Sequence, residues 1–171
     1  MATTYTLISS NVLTSTTATV SFTSIPQTYT DLVLRCSTRT DGAVTQSAVK
    51  IYFNNVTTDT SATFIEGNGA TAISGFPSAP VLVFRATGAS GTSNTFGNAE
   101  IYIPSYTNTT AKKPFGSFGV QETNATTAYI DAVAGLNNTT SAISRIDIDA
   151  SNAGYNFVSG SSFYLYGISN A

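Results

Sequence analysis

The sequence contains one pair of carboxylates whose spacing suits chemistry, Asp147 and Asp149 in the segment ISRIDIDA. Two residues apart on a β-strand, their side chains project from the same face, about 7 Å from one another. Such a pair could hold a calcium ion together with backbone carbonyls, or act as general acid and base. A third interpretation is a solvated strand face on which Arg145 joins both carboxylates, and the lack of other acidic residues nearby favours it.

Residue types argue against most other catalytic chemistry. The chain has no histidine and one cysteine, so neither a Ser-His nor a Cys-His pair can form. Cys36 alternates in phase with Leu32 and Leu34, which predicts a small core residue and not a nucleophile. The glycine-rich segments 67–69 and 88–91 lack the helix and lysine of a phosphate cradle and are predicted to be turns. We therefore predict a protein that is not an enzyme and needs neither metal nor cofactor.

Four tyrosines share a position that suits binding, because each lies opposite the main apolar stripe of its strand: Tyr52, Tyr102, Tyr164 and Tyr166. One interpretation is a platform on which a glycan stacks, although the chain has no tryptophan for this purpose. The second is a subunit interface, where tyrosine is enriched. The third is a core position, where a loop covers the second face of the strand. The sequence leaves all three open, and these four residues form the candidate interface.

The segments that position these side chains alternate with period two, which is typical of half-buried antiparallel strands. They are ATVSF (18–22), DLVLRCS (31–37), AVKIYFN (48–54), NAEIYIP (98–104) and ISRIDIDA (143–150). AYIDAVAG (128–135) also fits helical spacing, but its surroundings lack helix formers, so a strand is predicted. Turn residues at short intervals separate these segments. This predicts an all-β, antiparallel β-sandwich of about eight to ten strands.

The last segment, SSFYLYGIS (161–169), is among the most apolar in the chain. Chain ends usually fray, so an apolar, alternating segment at this position predicts a strand that closes the sandwich from within a sheet.

Length and charge set the remaining limits. The chain has 171 residues, of which 42% are hydrophobic and 9% charged, with a net charge of −2. This predicts one sandwich domain over residues 1–171. No basic footprint for nucleic acid is present, and the paired Lys112 and Lys113 are predicted to lie in a solvated turn. No run of apolar residues is long enough to span a membrane. A weakly charged surface does not repel copies of itself, which permits assembly.

Four segments together resemble a jelly-roll-like β-sandwich domain found in the virion proteins of many tailed bacteriophages. The matching residues are Ile25-Pro26 with Tyr29, Asp31 and Leu32; Ile103-Pro104 with Tyr106; Ala142-Ile143 with Ile146; and Leu165 to Ile168. One departure is Leu136, at a position where the family often carries a tryptophan before an Asn-rich turn. This departure weakens the case for a sugar platform there.

The resemblance implies a structural virion protein, assembled in the host cytoplasm. Because the domain spans the whole chain, a stand-alone capsid decoration, or cement, protein is expected to bind the major capsid protein or other virion proteins. Capsid lattices offer three-fold sites, so a homotrimer is favoured. The alternative is a tail or fibre module that binds a glycan or receptor.

Overall fold

A computed structural model describes residues 4–58, 60–76, 82–124, 126–150 and 154–169. These residues form twelve β-strands and no helix: β1 (Tyr5–Val12), β2 (Thr19–Phe22), β3 (Asp31–Thr38), β4 (Gln46–Phe53), β5 (Thr60–Gly67), β6 (Ala72–Gly75), β7 (Leu82–Thr87), β8 (Gly97–Ile103), β9 (Lys113–Asn124), β10 (Thr127–Asn137), β11 (Ile146–Asp149) and β12 (Ser162–Ile168). The segment AYIDAVAG lies within β10, so the choice of strand over helix is confirmed.

The strands form two antiparallel sheets that pack against each other. The larger has eight strands in the order β1-β12-β3-β8-β9-β10-β5-β6, and the smaller has four in the order β2-β11-β4-β7. The prediction of an all-β, antiparallel sandwich is confirmed.

Eight of the strands pair in nested order along the chain. The first strand pairs with the last, β2 pairs with β11, β3 with β8 and β4 with β7. Each step from β1 to β4 crosses from one sheet to the other, as does the step from β11 to β12. This nesting of paired strands across two sheets is the arrangement of a jelly roll.

The other four strands extend the larger sheet beyond β8. The chain inserts β5 and β6 between β4 and β7, and it inserts β9 and β10 between β8 and β11. The total of twelve exceeds the predicted range of about eight to ten. Five strands were not among the segments identified from the sequence, namely β1, β5, β6, β7 and β9, and β1 and β6 gave the weakest signal. β6 has only four residues, and half of the eight residues of β1 are short and polar, so neither alternates clearly.

The core lies between the two sheets, and the final strand contributes to its centre. Phe163 and Leu165 are fully buried, and β12 pairs with β1 on one side and β3 on the other. The Phe163 ring meets Phe157 edge-on, with 5.0 Å between centroids. Cys36 is also part of this core. The predictions of a closing last strand and of a core cysteine are therefore confirmed.

The prediction for Lys113 is wrong. Its side chain is 1% exposed, because Lys113 begins β9 and its ammonium group turns inward. Nζ donates hydrogen bonds to the carbonyl oxygens of Thr140 at 2.5 Å and Ser141 at 2.7 Å. Burial lowers the pKa of Lys113. The residue anchors the loop before β11 from inside the protein. The adjacent Lys112 is exposed, as predicted, and its Nζ donates a hydrogen bond to Asn138 Oδ1 of the same loop at 3.1 Å.

Candidate functional site

One face of the eight-stranded sheet packs on the smaller sheet, and the opposite face, here called the outer face, does not. Seven large exposed hydrophobic residues occupy it: Tyr5, Leu7, Val12, Ile65, Tyr102, Phe118 and Ile130. Only two other described residues are large, hydrophobic and exposed, Ile73 and Phe76, and neither occupies an outward-facing strand position of this sheet. An apolar surface of this kind on a folded domain marks an interaction site.

Strand register assembles the outer face from distant parts of the sequence. One row of neighbouring residues crosses the sheet as Leu7, Tyr166, Val33, Tyr102, Gly116, Ala134 and Thr63. The adjacent row runs Ser10, Tyr164, Arg35, Glu100, Phe118, Ala132 and Ile65. Aromatic and aliphatic side chains therefore surround a single charged pair near the centre of the sheet.

That charged pair is Arg35 and Glu100, with Nε and Oε2 2.7 Å apart. The Arg35 guanidinium also lies 5.9 Å from the centroid of the Tyr166 ring, a cation–π distance. Hydrogen bonding to Glu100 raises the pKa of Arg35. The two opposite charges satisfy each other within the chain, so the centre of the outer face carries no net charge.

Tyr102 is held in place although its ring is exposed. Its hydroxyl donates a hydrogen bond to Asp31 Oδ2 at 2.8 Å, and the Ser105 backbone N–H donates to Asp31 Oδ1 at 2.7 Å. The hydrogen bond to Asp31 is the main reason that the pKa of Tyr102 is raised. A ring fixed in this way loses little conformational entropy when a partner covers it.

A groove of about 660 Å³ lies between the Tyr102 and Phe118 rings. Gly116 forms part of its floor, where an added Cβ would meet only a carbonyl oxygen 4.0 Å away. The Arg35–Glu100 pair borders the same groove. A ligand there would meet aromatic rings together with charged hydrogen-bonding groups.

The structure brings together three of the four predicted interface tyrosines. Tyr102, Tyr164 and Tyr166 lie on neighbouring strands of the outer face. Tyr5, which the sequence did not reveal because β1 was not recognised, joins them with its ring 6.5 Å from that of Tyr166. Tyr52 lies apart, on the far side of the four-stranded sheet, where it neighbours Asp147.

The pair Asp147 and Asp149 shares a strand face as predicted, but that face is not solvated. The two residues are 5% and 7% exposed, because side chains from β2 and β4 cover them. Asp147 forms an ion pair with Arg145 at 2.7 Å, and Ser21 donates to it at 2.5 Å. The partners of Asp149 include Thr19 and Tyr52. No three metal-ligating side chains converge anywhere in the described parts of the chain.

A second polar cluster, which the sequence did not reveal, lies beneath the inserted strands. Arg85 Nη2 pairs with Glu66 Oε1 at 2.6 Å, and the Tyr129 hydroxyl donates to Glu66 Oε2. The Arg85 backbone N–H donates to Asp131 Oδ2 at 2.9 Å. Burial raises the pKa of Asp131 to about 6 and, with the hydrogen bond to Glu66, that of Tyr129 to about 12. These contacts fasten β5 and β10 to β7.

No protein-family model matches the chain, and no curated protein or solved structure matches it either. In the part of the chain that the structure describes, no helix has the length and apolar character needed to span a bilayer.

Proposed function

We propose that this chain is a structural virion protein, specifically a capsid decoration protein that binds the outer capsid shell and stabilises it as a symmetric oligomer. The observation that carries this proposal is the outer face, on which seven large hydrophobic side chains are exposed together. A face of this kind suits permanent assembly, in which the apolar surface stays covered. The proposal includes no catalytic step.

The sequence resemblance and the edges of the sheet support a place in a particle. β1 is an edge strand of the larger sheet, and its sequence YTLISSNV contains neither a charged residue nor a proline. Natural proteins usually protect such an edge, and an unprotected edge can accept a strand from a partner. We propose that sheet edges and loops contact neighbouring capsid subunits, and that many weak contacts add up over the shell.

Reconstruction of purified virions that carry this gene tests the proposal. We expect density for the sandwich on the outer capsid lattice, at three-fold positions if the favoured trimer is correct. Mass spectrometry of the same particles should detect the chain. Absence of the chain from washed virions would contradict the proposal, and density at the tail would support the second candidate instead.

The second candidate is a tail or fibre module that binds a glycan or receptor, and the groove beside Tyr102 and Phe118 favours it. Aromatic rings next to a guanidinium and a carboxylate suit the apolar faces and hydroxyl groups of a sugar. A glycan array tests this candidate. Saturable glycan binding would support it if the Tyr102→Ala variant no longer binds and the Tyr52→Ala variant still does. Tyr52 is the control because it lies on the other sheet.

A further inference from the structure

We infer that the occupant of the outer face is a second copy of this chain, which packs sheet against sheet across a two-fold axis. The inference rests on the homo-oligomer of the proposed function and names its surface. It gives that oligomer two-fold symmetry, in place of the trimer that the sequence resemblance favours. Four observations carry it: the size of the face, its charge, the placement of its aromatic residues and its single continuous sheet.

The size of the outer face fits a stable dimer. Eight strands at the usual spacing of about 4.8 Å, with an average length of about eight residues, span roughly 34 Å by 27 Å. The resulting area is close to the roughly 800 Å² per partner of a standard protein interface. A small molecule in the groove would leave most of the exposed apolar side chains uncovered, and a second sheet would cover them.

The charge of the outer face also permits self-association. Four acidic or basic residues occupy outward positions, and each is engaged within the chain. Arg35 pairs with Glu100, and Asp31, which is 8% exposed, accepts hydrogen bonds from Tyr102 and Ser105. Glu122, at the far end of β9, accepts a hydrogen bond from the Thr92 backbone.

Two copies therefore bring no unpaired like charges together at the centre of the contact. A partner with a strongly charged surface would gain little from this face.

The aromatic residues lie where interface energy is usually concentrated. Tyr102, Tyr166 and Phe118 surround the Arg35–Glu100 pair on strands β8, β12 and β9. Tyrosine and arginine are enriched among the few residues that dominate binding energy, which lie near the centre of an interface. The aliphatic residues Ile65 and Ile130 flank this centre on the inserted strands, so the four extra strands enlarge the apolar surface.

The two-fold symmetry follows from the use of one face. When a surface patch contacts its own copy, the contact is isologous and closes at two subunits. Two sheets with the same twist pack face to face at about −30°, as in any aligned sandwich. A ring of three would need two different complementary patches, and the outer face is one continuous sheet.

Light scattering after size-exclusion chromatography measures the state directly. We expect the purified chain to have twice the 17.8 kDa mass of one copy. Phe118→Lys should convert it to the single-copy mass, because Phe118 is 47% exposed and lies at the centre of the contact. A charge at this position costs the isolated copy little, so circular dichroism should retain the strand signal.

A matched pair of isoleucines supplies a second variant and its control. Ile65, on the outer face of β5, is 61% exposed, and Ile73, on the opposite face of the neighbouring β6, is 54% exposed. Ile65→Lys should also give single copies, and Ile73→Lys should keep the dimer. If one of the two outer-face variants fails to fold, the other variant still tests the inference.

Three results would overturn the inference: a single-copy mass at all concentrations, a three-copy mass, or a dimer that survives both outer-face variants. The outcomes for the proposed function are separate. A dimer in solution with no copies in purified virions would contradict the virion role and leave the dimer standing. A single copy in solution that is found in virions would contradict only the dimer.

Discussion

The ring of Tyr29 lies directly over the backbone of Gly167, so close that a Cβ on Gly167 would come within 2.3 Å of Tyr29 Cγ. Both residues belong to the segments that carry the family resemblance. Nearby, the Tyr106 hydroxyl donates to the Pro26 carbonyl oxygen, and the Ile143 N–H donates to the Tyr106 carbonyl oxygen at 2.9 Å. The motif residues thus meet in one corner of the sandwich, where they hold loops against the last strand.

This contact predicts that Gly167→Ala destabilises the protein. The new methyl group would overlap the aromatic ring, and Tyr29 is partly buried and packed against the core. We expect a loss of about 1–3 kcal/mol in the free energy of unfolding, the usual range for overpacking. Urea denaturation measures this loss. An unchanged midpoint would contradict the close approach of the ring.

Gly116→Ala is the matched control, since Gly116 also lies within a strand of the larger sheet. An added Cβ there meets nothing closer than 4.0 Å. Replacing a strand glycine in open space should stabilise the fold by up to about 1 kcal/mol, because the unfolded chain loses freedom. A loss as large as that of Gly167→Ala would indicate that any side chain at a strand glycine is harmful.

The buried carboxyl of Asp131 predicts a dependence of stability on pH. Its pKa rises from 3.8 to about 6 on folding, mainly because Asp131 is buried. Well below pH 3.8 the carboxyl is protonated in both the folded and the unfolded state, so its burial carries no penalty. As the pH rises to about 6 the unfolded chain ionises first, and stability falls. Asp131→Asn should therefore stabilise the protein at about pH 8, by up to roughly 3 kcal/mol relative to its effect at about pH 3.

Asp41→Asn should show the opposite sign and serves as the comparison. Asp41 accepts hydrogen bonds from the Asn156 backbone N–H at 2.7 Å and from its side-chain amide at 2.8 Å, and these bonds lower the pKa of Asp41. Its ionised form therefore stabilises the fold above the ordinary carboxyl range. Urea denaturation across pH should find Asp41→Asn destabilised at neutral pH and equal to the wild type in acid. Parallel pH profiles for both variants would contradict these assignments.

Residue periodicity predicted seven of the twelve strands, because each of these seven has a stripe of apolar residues on one face: β2, β3, β4, β8, β10, β11 and β12. The edge strands β1 and β6 were not predictable in this way. Their residues are largely exposed, so burial imposes no alternation on their sequences. Strand β1 forms only because β12 supplies its hydrogen-bonding partner.

The candidate site was predictable only in part. Alternation placed Tyr102, Tyr164 and Tyr166 opposite the core, and the structure puts them on one face. It could not separate Tyr52 from them, because assignment of strands to sheets depends on long-range pairing. For the same reason the sequence did not reveal that Phe118 continues the apolar surface across the inserted strands.

The position of β12 predicts that removal of the last nine residues, 163–171, abolishes folding. This strand pairs on both sides, and it buries Phe163 and Leu165, each worth about 1.5–3 kcal/mol. Removal of residues 1–12, which include β1, is the control, because β1 pairs only with β12 and is mostly exposed. Thermal melts should be cooperative for the second truncation and absent for the first. A cooperative melt of the first would contradict the central role of β12.

The thiol of Cys36 tests the register of the larger sheet. Cys36 is 5% exposed on the core side of β3, and burial raises the pKa of its thiol, so the reactive thiolate is scarce. A slip of one residue would move the thiol to the outer face and would carry Arg35 from the outer face into the core. We expect a thiol reagent to modify the native protein only as fast as the chain unfolds, and to modify it at once in urea. Rapid, complete labelling of the folded protein would show that β3 presents its other face to the core.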